Sequence, residues 1–174
     1  TAKRDQAAGA RVLYMEFVKK KCTVIYDIKN NPIVLIKDIR FKGKRNINWN
    51  EVEKYVKEYV GSCYEVIETS DKIYIGSDFP NELKGSEDTK RLKGANAKAK
   101  ANSTSELPML LKIAKNKRWQ ENFKNKHGMD AKYGWYRFTS RFALPIYLDN
   151  GEIERINIFR IEMLVRHASD NNLY

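Results

Sequence analysis

The strongest structural signal in the chain is residues 133–167, YGWYRFTSRFALPIYLDNGEIERINIFRIEMLVRH. Its first half alternates between two sets of side chains, as a β-strand with two different faces requires. The apolar set is Tyr136, Phe138, Phe142 and Leu144, and the opposite set is Trp135, Arg137, Thr139 and Arg141. A hairpin turn signal, Asp149-Asn150-Gly151, then precedes a second alternating run that starts at Ile156. The stretch predicts a long antiparallel β-hairpin.

The segments before this hairpin predict further strands and a helical middle. Residues 23–28 and 33–36 are β-branched and flank Asn30-Asn31-Pro32, which predicts another hairpin. A capping box at Asn48 and Glu51 begins an amphipathic helix, and two short strands follow at residues 64–68 and 72–75. Residues 77–90 are interpreted as a polar loop.

Two further helices are expected after this loop, one over residues 95–100 and one around Pro108, with a break at residues 102–105. Lys112, Lys115, Lys117 and Arg118 are placed at the end of the second helix. Helices and strands segregate, so the sequence predicts an α+β fold with an antiparallel sheet. Residues 1–32 are expected to be an N-terminal extension or linker that could join the sheet, and residues 33–174 a single domain.

Positive charge is concentrated in the second half of this 174-residue chain, whose net charge is +11. Residues 84–141 hold 15 Lys and Arg against 5 Asp and Glu. Such clustering favours a polyanionic partner, and RNA is preferred over DNA, although a solvated lysine-rich surface is the alternative. The residues expected to bind nucleic acid are Arg91, Lys98, Lys100, Lys117, Arg118, Lys126, His127 and Trp135.

Other classes of protein find little support in the sequence. The two cysteines and two histidines have no zinc-ligand spacing, and no phosphate-binding glycine loop or serine-hydrolase motif occurs. We therefore expect no metal and no cofactor. No run of about 18 apolar residues is present, so we expect no membrane partner and a cytoplasmic location.

Four residues are candidates for chemistry on a phosphodiester. Arg137 and Arg141 share one strand face and could grip phosphates. His167, at the end of the return strand, is the candidate acid or base. Lys93, with Gly94 at a helix start, would bind phosphate.

The order of these motifs resembles a known family. The helix at residues 49–56, the Lys93-Gly94 step leading to residues 106–110, and the ending 164–167 and 173–174 are similar to the third class of large polyvalent protein-associated domains of phages and mobile elements. The resemblance implies a fold like that of barnase, EndoU, colicin and RelE nucleases. It also implies an active face that contains Lys93, Arg137, Arg141 and His167, and a cytoplasmic location that is bacterial or reached by phage delivery.

Two functions remain open from the sequence. One is a toxin-like, metal-independent ribonuclease that transfers the phosphodiester by acid–base catalysis. The alternative is a non-catalytic module of a larger bacterial mobile-element protein, binding either nucleic acid or a protein such as an acidic immunity or capsid protein. Whether the chain is an enzyme is therefore left open.

Overall fold

The chain adopts an α+β fold in a computed structural model that describes residues 2–4, 22–43, 45–123 and 128–174. The described strands are β1 (Ala2–Arg4), β2 (Cys22–Tyr26), β3 (Pro32–Ile36), β4 (Cys63–Glu65), β5 (Lys72–Tyr74), β6 (Lys115–Gln120), β7 (Trp135–Tyr147) and β8 (Ile153–Arg166). The helices are α1 (Trp49–Val56), α2 (Phe79–Gly85), α3 (Glu87–Arg91), α4 (Gly94–Ser103) and α5 (Leu107–Lys112), with 3-10 turns at Lys57–Tyr59 and Thr104–Glu106. The predicted segregation of helices from the long strands is confirmed.

Strand β7 is the centre of the main sheet. Along one edge it pairs with β8, and along the other it pairs with β6 near its start and with β3 near its middle. The outer edges of β8 and β3 are extended by β1 and β2, while β4 and β5 form a separate two-stranded sheet. The two ends of the chain therefore meet in one sheet.

The expectation of a purely antiparallel sheet is wrong at one pairing. β3 lies parallel to β7, with Val34 opposite Phe142 and Leu35 opposite Ala143, so the sheet is mixed. A parallel neighbour requires a crossover connection rather than a tight turn. The whole helical region lies between these two strands and supplies that connection.

The helices pack on the apolar face that the alternation predicts. Phe142 and Phe159 stack on this face with ring centroids 5.3 Å apart, and Ala99 of α4 and Leu110 of α5 cover them. Phe138, fully buried, continues the face towards the small sheet. We call this side of the main sheet the helix face. No helix in the described ranges is both long and apolar enough to cross a membrane.

Helix α1 begins as its sequence predicts. The Asn48 side chain accepts a hydrogen bond from the Asn50 N–H at 3.1 Å and donates one to Glu51 Oε1 at 3.1 Å. Val52 and Val56 are buried against Phe41 and Ala101. The amphipathic stripe and the cap therefore act together to position this helix.

Residues 77–90 do not form the expected polar loop. They form α2 and most of α3, and Pro80 lies in the first turn of α2, where a missing N–H costs nothing. Ser86 separates the two helices and caps the second, because its Oγ accepts a hydrogen bond from the Thr89 N–H at 3.0 Å. The polar composition of residues 77–90 indicated a loop, but local hydrogen bonds at the helix ends allow such a segment to form short helices.

Helical backbone also covers the expected break at residues 102–105, because α4 runs to Ser103 and a 3-10 turn follows at Thr104–Glu106. Asn102 is fully buried, and its side-chain amide bonds both the N–H and the C=O of Phe41 at 3.0 Å. The hydroxyls of Ser103 and Thr104 donate to backbone carbonyls one turn earlier, at 2.7 and 2.6 Å. Because tertiary contacts satisfy these polar groups, the weak helix propensity of the segment is overridden.

Lys115, Lys117 and Arg118, which were expected at the end of a helix, lie in strand β6 instead. Helix α5 ends at Lys112, and Asn116 then adopts a positive φ of 58° at an irregularity in the β6–β7 pairing. Beyond that point Arg118, Trp119 and Gln120 lie opposite Arg137, Tyr136 and Trp135. The change from helix to strand moves the basic residues of this segment onto the sheet.

Candidate nucleic-acid interface

Strand β6 carries adjacent basic and aromatic side chains on an exposed strand. The side chain of Arg118 is 60% exposed, and the whole residue Trp119 is 58% exposed. Among the described strands, β6 pairs only with β7. Successive side chains of a strand point to opposite faces of the sheet, but at an edge strand the side chains of both faces can be reached from the edge. A ligand that crosses this edge can therefore contact the guanidinium and the indole together.

Trp119 is held in place by the turn that begins β7. Its Nε1 donates a hydrogen bond to the Tyr133 carbonyl at 2.9 Å. Gly134 has a φ of +90°, and a Cβ there would lie 2.7 Å from Trp119 Nε1 and from the Gln120 carbonyl oxygen. Both the backbone angle and the close contact require glycine. The indole is therefore oriented while most of its surface stays open to solvent.

Three further rings continue this surface towards the end of β8. The His167 ring lies 5.0 Å from the Tyr133 ring and 5.9 Å from the Tyr136 ring, measured between centroids. His167 Nε2 is 2.8 Å from Asn171 Oδ1, which fixes the ring orientation. We call Trp119, Tyr133, Tyr136 and His167 the aromatic patch. Phe123 and Met129, both strongly exposed, lie in the loop that joins β6 to β7.

Two lysines lie beside rings of the aromatic patch. Lys132 Nζ lies 5.3 Å from the centre of the Tyr133 ring, and Lys117 Nζ lies 4.3 Å from the centre of the Tyr136 ring. Lys117 also forms an ion pair with Asp71 at 2.8 Å, so part of its charge is already compensated. Aromatic rings beside cations are the combination that holds the bases and phosphates of a single strand.

The opposite side of the sheet carries a cluster of arginines, which we call the arginine face. Its members, placed together by strand register, are Arg118, Arg137, Arg141 and Arg160, with Thr139 and Glu162 between them. Glu162 joins two of the cations, bonding Arg137 Nη1 through Oε1 and Arg118 Nη2 at 3.2 Å through Oε2. Gln120 Oε1 accepts a further bond from Arg137 Nε at 2.9 Å. Arg137 is thus held in a fixed position, whereas Arg118 stays largely exposed.

Arg141, an expected catalytic residue, forms a half-buried ion pair with Asp27. Its Nη1 bonds Asp27 Oδ2 at 2.7 Å, and the two side chains are only 21% and 12% exposed. Burial by itself would raise the pKa of Asp27, but hydrogen bonds from the Asn31 N–H and from Arg141 outweigh it and lower the pKa from 3.8 to about 2. The pair ties β7 to the turn between β2 and β3.

The four expected catalytic residues do not converge. Tyr136 and Arg137 are neighbours in β7 and point to opposite faces; His167 packs on the Tyr136 ring, whereas Arg137 and Arg141 lie on the arginine face. Lys93 is exposed at the start of α4, in the helical layer. The active face that the resemblance implied is therefore divided between two sides of the sheet and a helix.

The expected nucleic-acid-binding residues are divided in the same way. Lys117 and Arg118 adjoin the aromatic patch, and partly buried Trp135 lies opposite Gln120 and Arg166. Arg91 and Lys98 lie on α3 and α4, away from β6 in the fold. Lys100 is only 8% exposed and bonds Asp88 at 2.7 Å, so little of this side chain is open to a ligand. Lys126 and His127 lie outside the described residues.

Sequence reasoning missed Trp119, Tyr133 and Lys132 as interface residues. The signal was the Arg118-Trp119 pair in β6, but Arg118 was assigned to a helix end and Trp119 to no element. In the described part of the chain, no group of three or more His, Cys, Asp or Glu could hold a metal ion. No family model, curated protein or solved structure matches this chain.

Proposed function

We propose that this domain binds single-stranded RNA along strand β6, with bases stacked on the aromatic patch and phosphates held by Arg118 and Lys132. The observation that carries the proposal is the exposed Trp119, oriented by Gly134 and Tyr133, beside an exposed arginine on a strand edge with which no described strand pairs. RNA loops and single strands present unstacked bases to such surfaces. The net charge of +11 adds a salt-dependent attraction for phosphate.

Binding without cleavage is the better supported form of this function. Metal-independent cleavage needs an acid, a base and a cation within hydrogen-bond reach of one phosphate. His167 packs on the helix face and Arg137 lies on the opposite face, held by Glu162 and Gln120. The likeness to barnase and RelE rests on the order of the elements, and a shared fold would not establish a shared activity.

The context in a phage or mobile-element protein follows from the family resemblance alone. In that context the domain would supply RNA binding to a longer polypeptide. An acidic immunity or capsid protein is the alternative partner of the same basic surface, since carboxylates and phosphates both pair with Arg118 and Lys132.

Substitution of Trp119 by alanine tests the proposal. Loss of one stacking platform should weaken binding of a single-stranded RNA oligonucleotide by about 1–3 kcal/mol, roughly 5- to 150-fold. Affinities are measured by fluorescence anisotropy at low salt and repeated at increasing salt. Tyr26→Ala removes another exposed aromatic, at the far end of β2, and should leave the affinity unchanged.

A second comparison isolates the charge. Arg118→Ala should weaken binding and reduce the slope of affinity against salt by about one counterion. Lys54→Ala removes the same charge on the exposed side of α1. It should lower the RNA affinity and the salt slope less than Arg118→Ala does. If the two variants weaken binding equally, the net charge of the chain alone explains the affinity, and a binding site at β6 is contradicted.

Incubation with RNA in EDTA separates binding from cleavage. Retarded but intact RNA is the expected result. Fragments with 2′,3′-cyclic phosphate ends would restore the ribonuclease hypothesis, and no retardation at low salt would favour the acidic protein partner. Tighter binding to single-stranded DNA of the same sequence would overturn the preference for RNA.

A further inference from the structure

Glu162 places one carboxylate between two guanidinium groups on the arginine face. Arg118 of β6 and Arg137 of β7 are opposite residues, and both bond Glu162 of β8, Arg137 through Oε1 and Arg118 through Oε2. Arg160 lies two residues before Glu162 on the same face of β8 and is exposed. One carboxylate does not balance three guanidinium groups, so this part of the face keeps an excess of positive charge.

The cluster is open to solvent at the β6 edge. The side chains of Arg118, Arg137 and Glu162 are 60%, 36% and 33% exposed. In the described part of the chain β6 pairs with β7 alone, and β1 pairs with the opposite side of β8. A ligand that reaches Arg118 from the β6 edge therefore continues directly onto Arg137 and Glu162.

The guanidinium of Arg137 has a second support besides Glu162. Its Nε donates to Gln120 Oε1 at 2.9 Å, and Gln120 lies two residues after Arg118 in β6. A guanidinium carries its N–H donors in a fixed plane. The bond at Nε therefore orients the plane, and the N–H groups that bond Glu162 stay correctly placed for another anion. Donors that are already oriented lose less conformational entropy when an anion binds.

A phosphodiester group resembles a carboxylate in its charge and in its hydrogen-bonding oxygens. Both carry one negative charge and two oxygens that can accept guanidinium N–H groups. Exposed ion pairs contribute little to stability, so the fold loses little when Glu162 leaves the two arginines. RNA also releases condensed counterions when its phosphates are neutralised, a gain that Glu162 does not offer. The balance therefore favours a phosphate over Glu162 when RNA is present.

We propose that the arginine face holds a phosphate group of the bound RNA between Arg118 and Arg137, and that the Glu162 carboxylate occupies this position in the free protein. The site rests on the proposed RNA binding at β6 and extends it from the edge onto the sheet. Trp119 and Arg118 are adjacent, so a strand with a base on the indole brings a neighbouring phosphate to the arginine face. Glu162 is thus an internal competitor that lowers the affinity for RNA.

Glu162→Gln tests the competition, because it removes the charge and keeps a side-chain oxygen. The probe is a single-stranded RNA oligonucleotide, measured by fluorescence anisotropy at low and at increasing salt. Affinity should rise at least about fivefold, and the slope of affinity against salt should rise by about one counterion. Glu154→Gln, at an exposed position of the same strand, makes the same change in net charge and should raise affinity by less than about twofold. An equal gain in the two variants, or no gain in Glu162→Gln, would overturn the proposal.

Arg137→Ala shows whether the gain arises at the arginine pair. In this background, Glu162→Gln should raise RNA affinity no more than Glu154→Gln does. A gain that persists in full without Arg137 would exclude a phosphate between the two arginines. A hexaglutamate peptide is the alternative anion and should gain less than RNA from Glu162→Gln, since it releases fewer counterions. An equal or larger gain for the peptide would assign the position to carboxylates of a protein partner.

Inorganic pyrophosphate separates the phosphate site from RNA binding itself. A wild-type chain that binds no RNA at low salt contradicts the proposed function, whereas a wild-type chain that binds RNA with equal gains in Glu162→Gln and Glu154→Gln contradicts only the competition. In both cases pyrophosphate binding, followed through the arginine Nε–H signals in NMR spectra, should be tighter in Glu162→Gln than in Glu154→Gln. It should be lost when Arg137→Ala is added. Absence of binding to Glu162→Gln at about 10 mM, or binding that Arg137→Ala does not change, would exclude the phosphate site.

Discussion

The ion pair between Asp27 and Arg141 predicts a specific dependence of stability on pH. Asp27→Asn keeps the Oδ1 that accepts from the Lys29 and Asn31 N–H groups, each at 2.9 Å, but it removes the charge and replaces the Oδ2 that accepts from Arg141 with an amide NH2 group. A pKa lowered from 3.8 to about 2 corresponds to about 2 kcal/mol of stability at pH 7. We therefore expect the variant to unfold about 2 kcal/mol more easily at pH 7.

The sign of the pH effect follows from which state binds the proton first. As the pH falls below about 4, the unfolded chain protonates Asp27 while the folded chain keeps it ionised, so unfolding becomes easier. The stability from this group is complete above pH 4 to 5 and is lost as the pH falls towards 2. By pH 3, roughly 1 kcal/mol of the difference between wild type and variant should be gone.

Urea denaturation of both proteins, followed by tryptophan fluorescence, measures this difference at pH 7, 4 and 3. The asparagine that the variant carries in place of Asp27 does not titrate, so subtraction of the two free energies of unfolding isolates the contribution of the carboxylate. Asp149→Asn, at an exposed turn, is the control and should change stability at pH 7 by less than about 0.5 kcal/mol. A difference between wild type and Asp27→Asn that is absent at pH 7, or is the same at pH 7 and pH 3, would refute the reasoning.

Three other substitutions have definite expected outcomes. Asn102→Ala leaves the buried N–H and C=O of Phe41 without partners and should lower the free energy of unfolding by about 2–4 kcal/mol, measured by urea denaturation. Gly134→Ala should cost about 1–3 kcal/mol because of its positive φ and its contact with Trp119, and RNA affinity measured by anisotropy should fall with it. Lys100→Met should leave RNA affinity unchanged, because this lysine is buried against Asp88, whereas Arg118→Ala lowers it.

Much of the fold was predictable because its signals are local. The β7–β8 hairpin, the β2–β3 hairpin and the start of α1 each follow from alternation, turn residues or a capping box within a short window. The parts that failed depend on distant partners. Asn102 has low helix propensity, and the hydrogen bonds that hold it in the helix come from Phe41, 61 positions away. The parallel pairing of β3 with β7 has no signal in the sequence of either strand.

The sequence indicated several residues of the candidate site, but it did not indicate how the fold arranges them. The alternation of β7 correctly separated Arg137 from Tyr136, yet the family resemblance grouped Arg137 with His167, whose ring packs on the Tyr136 ring. Trp119 was not selected, because residues 115–120 continue a lysine-rich helical segment and propensity gives no warning of the strand. The irregular step at Asn116 makes that transition, and its positive φ was not deduced from the sequence.

The parallel contact between β3 and β7 also has a kinetic consequence. The β7–β8 hairpin closes over a short loop and can form early, whereas the bond from Arg141 to Asp27 spans 114 positions. Loop-closure entropy delays such pairings until the intervening chain is ordered. The β2–β3 hairpin should therefore join the sheet last, and in native-state hydrogen exchange its amides should open before those in the centre of β7.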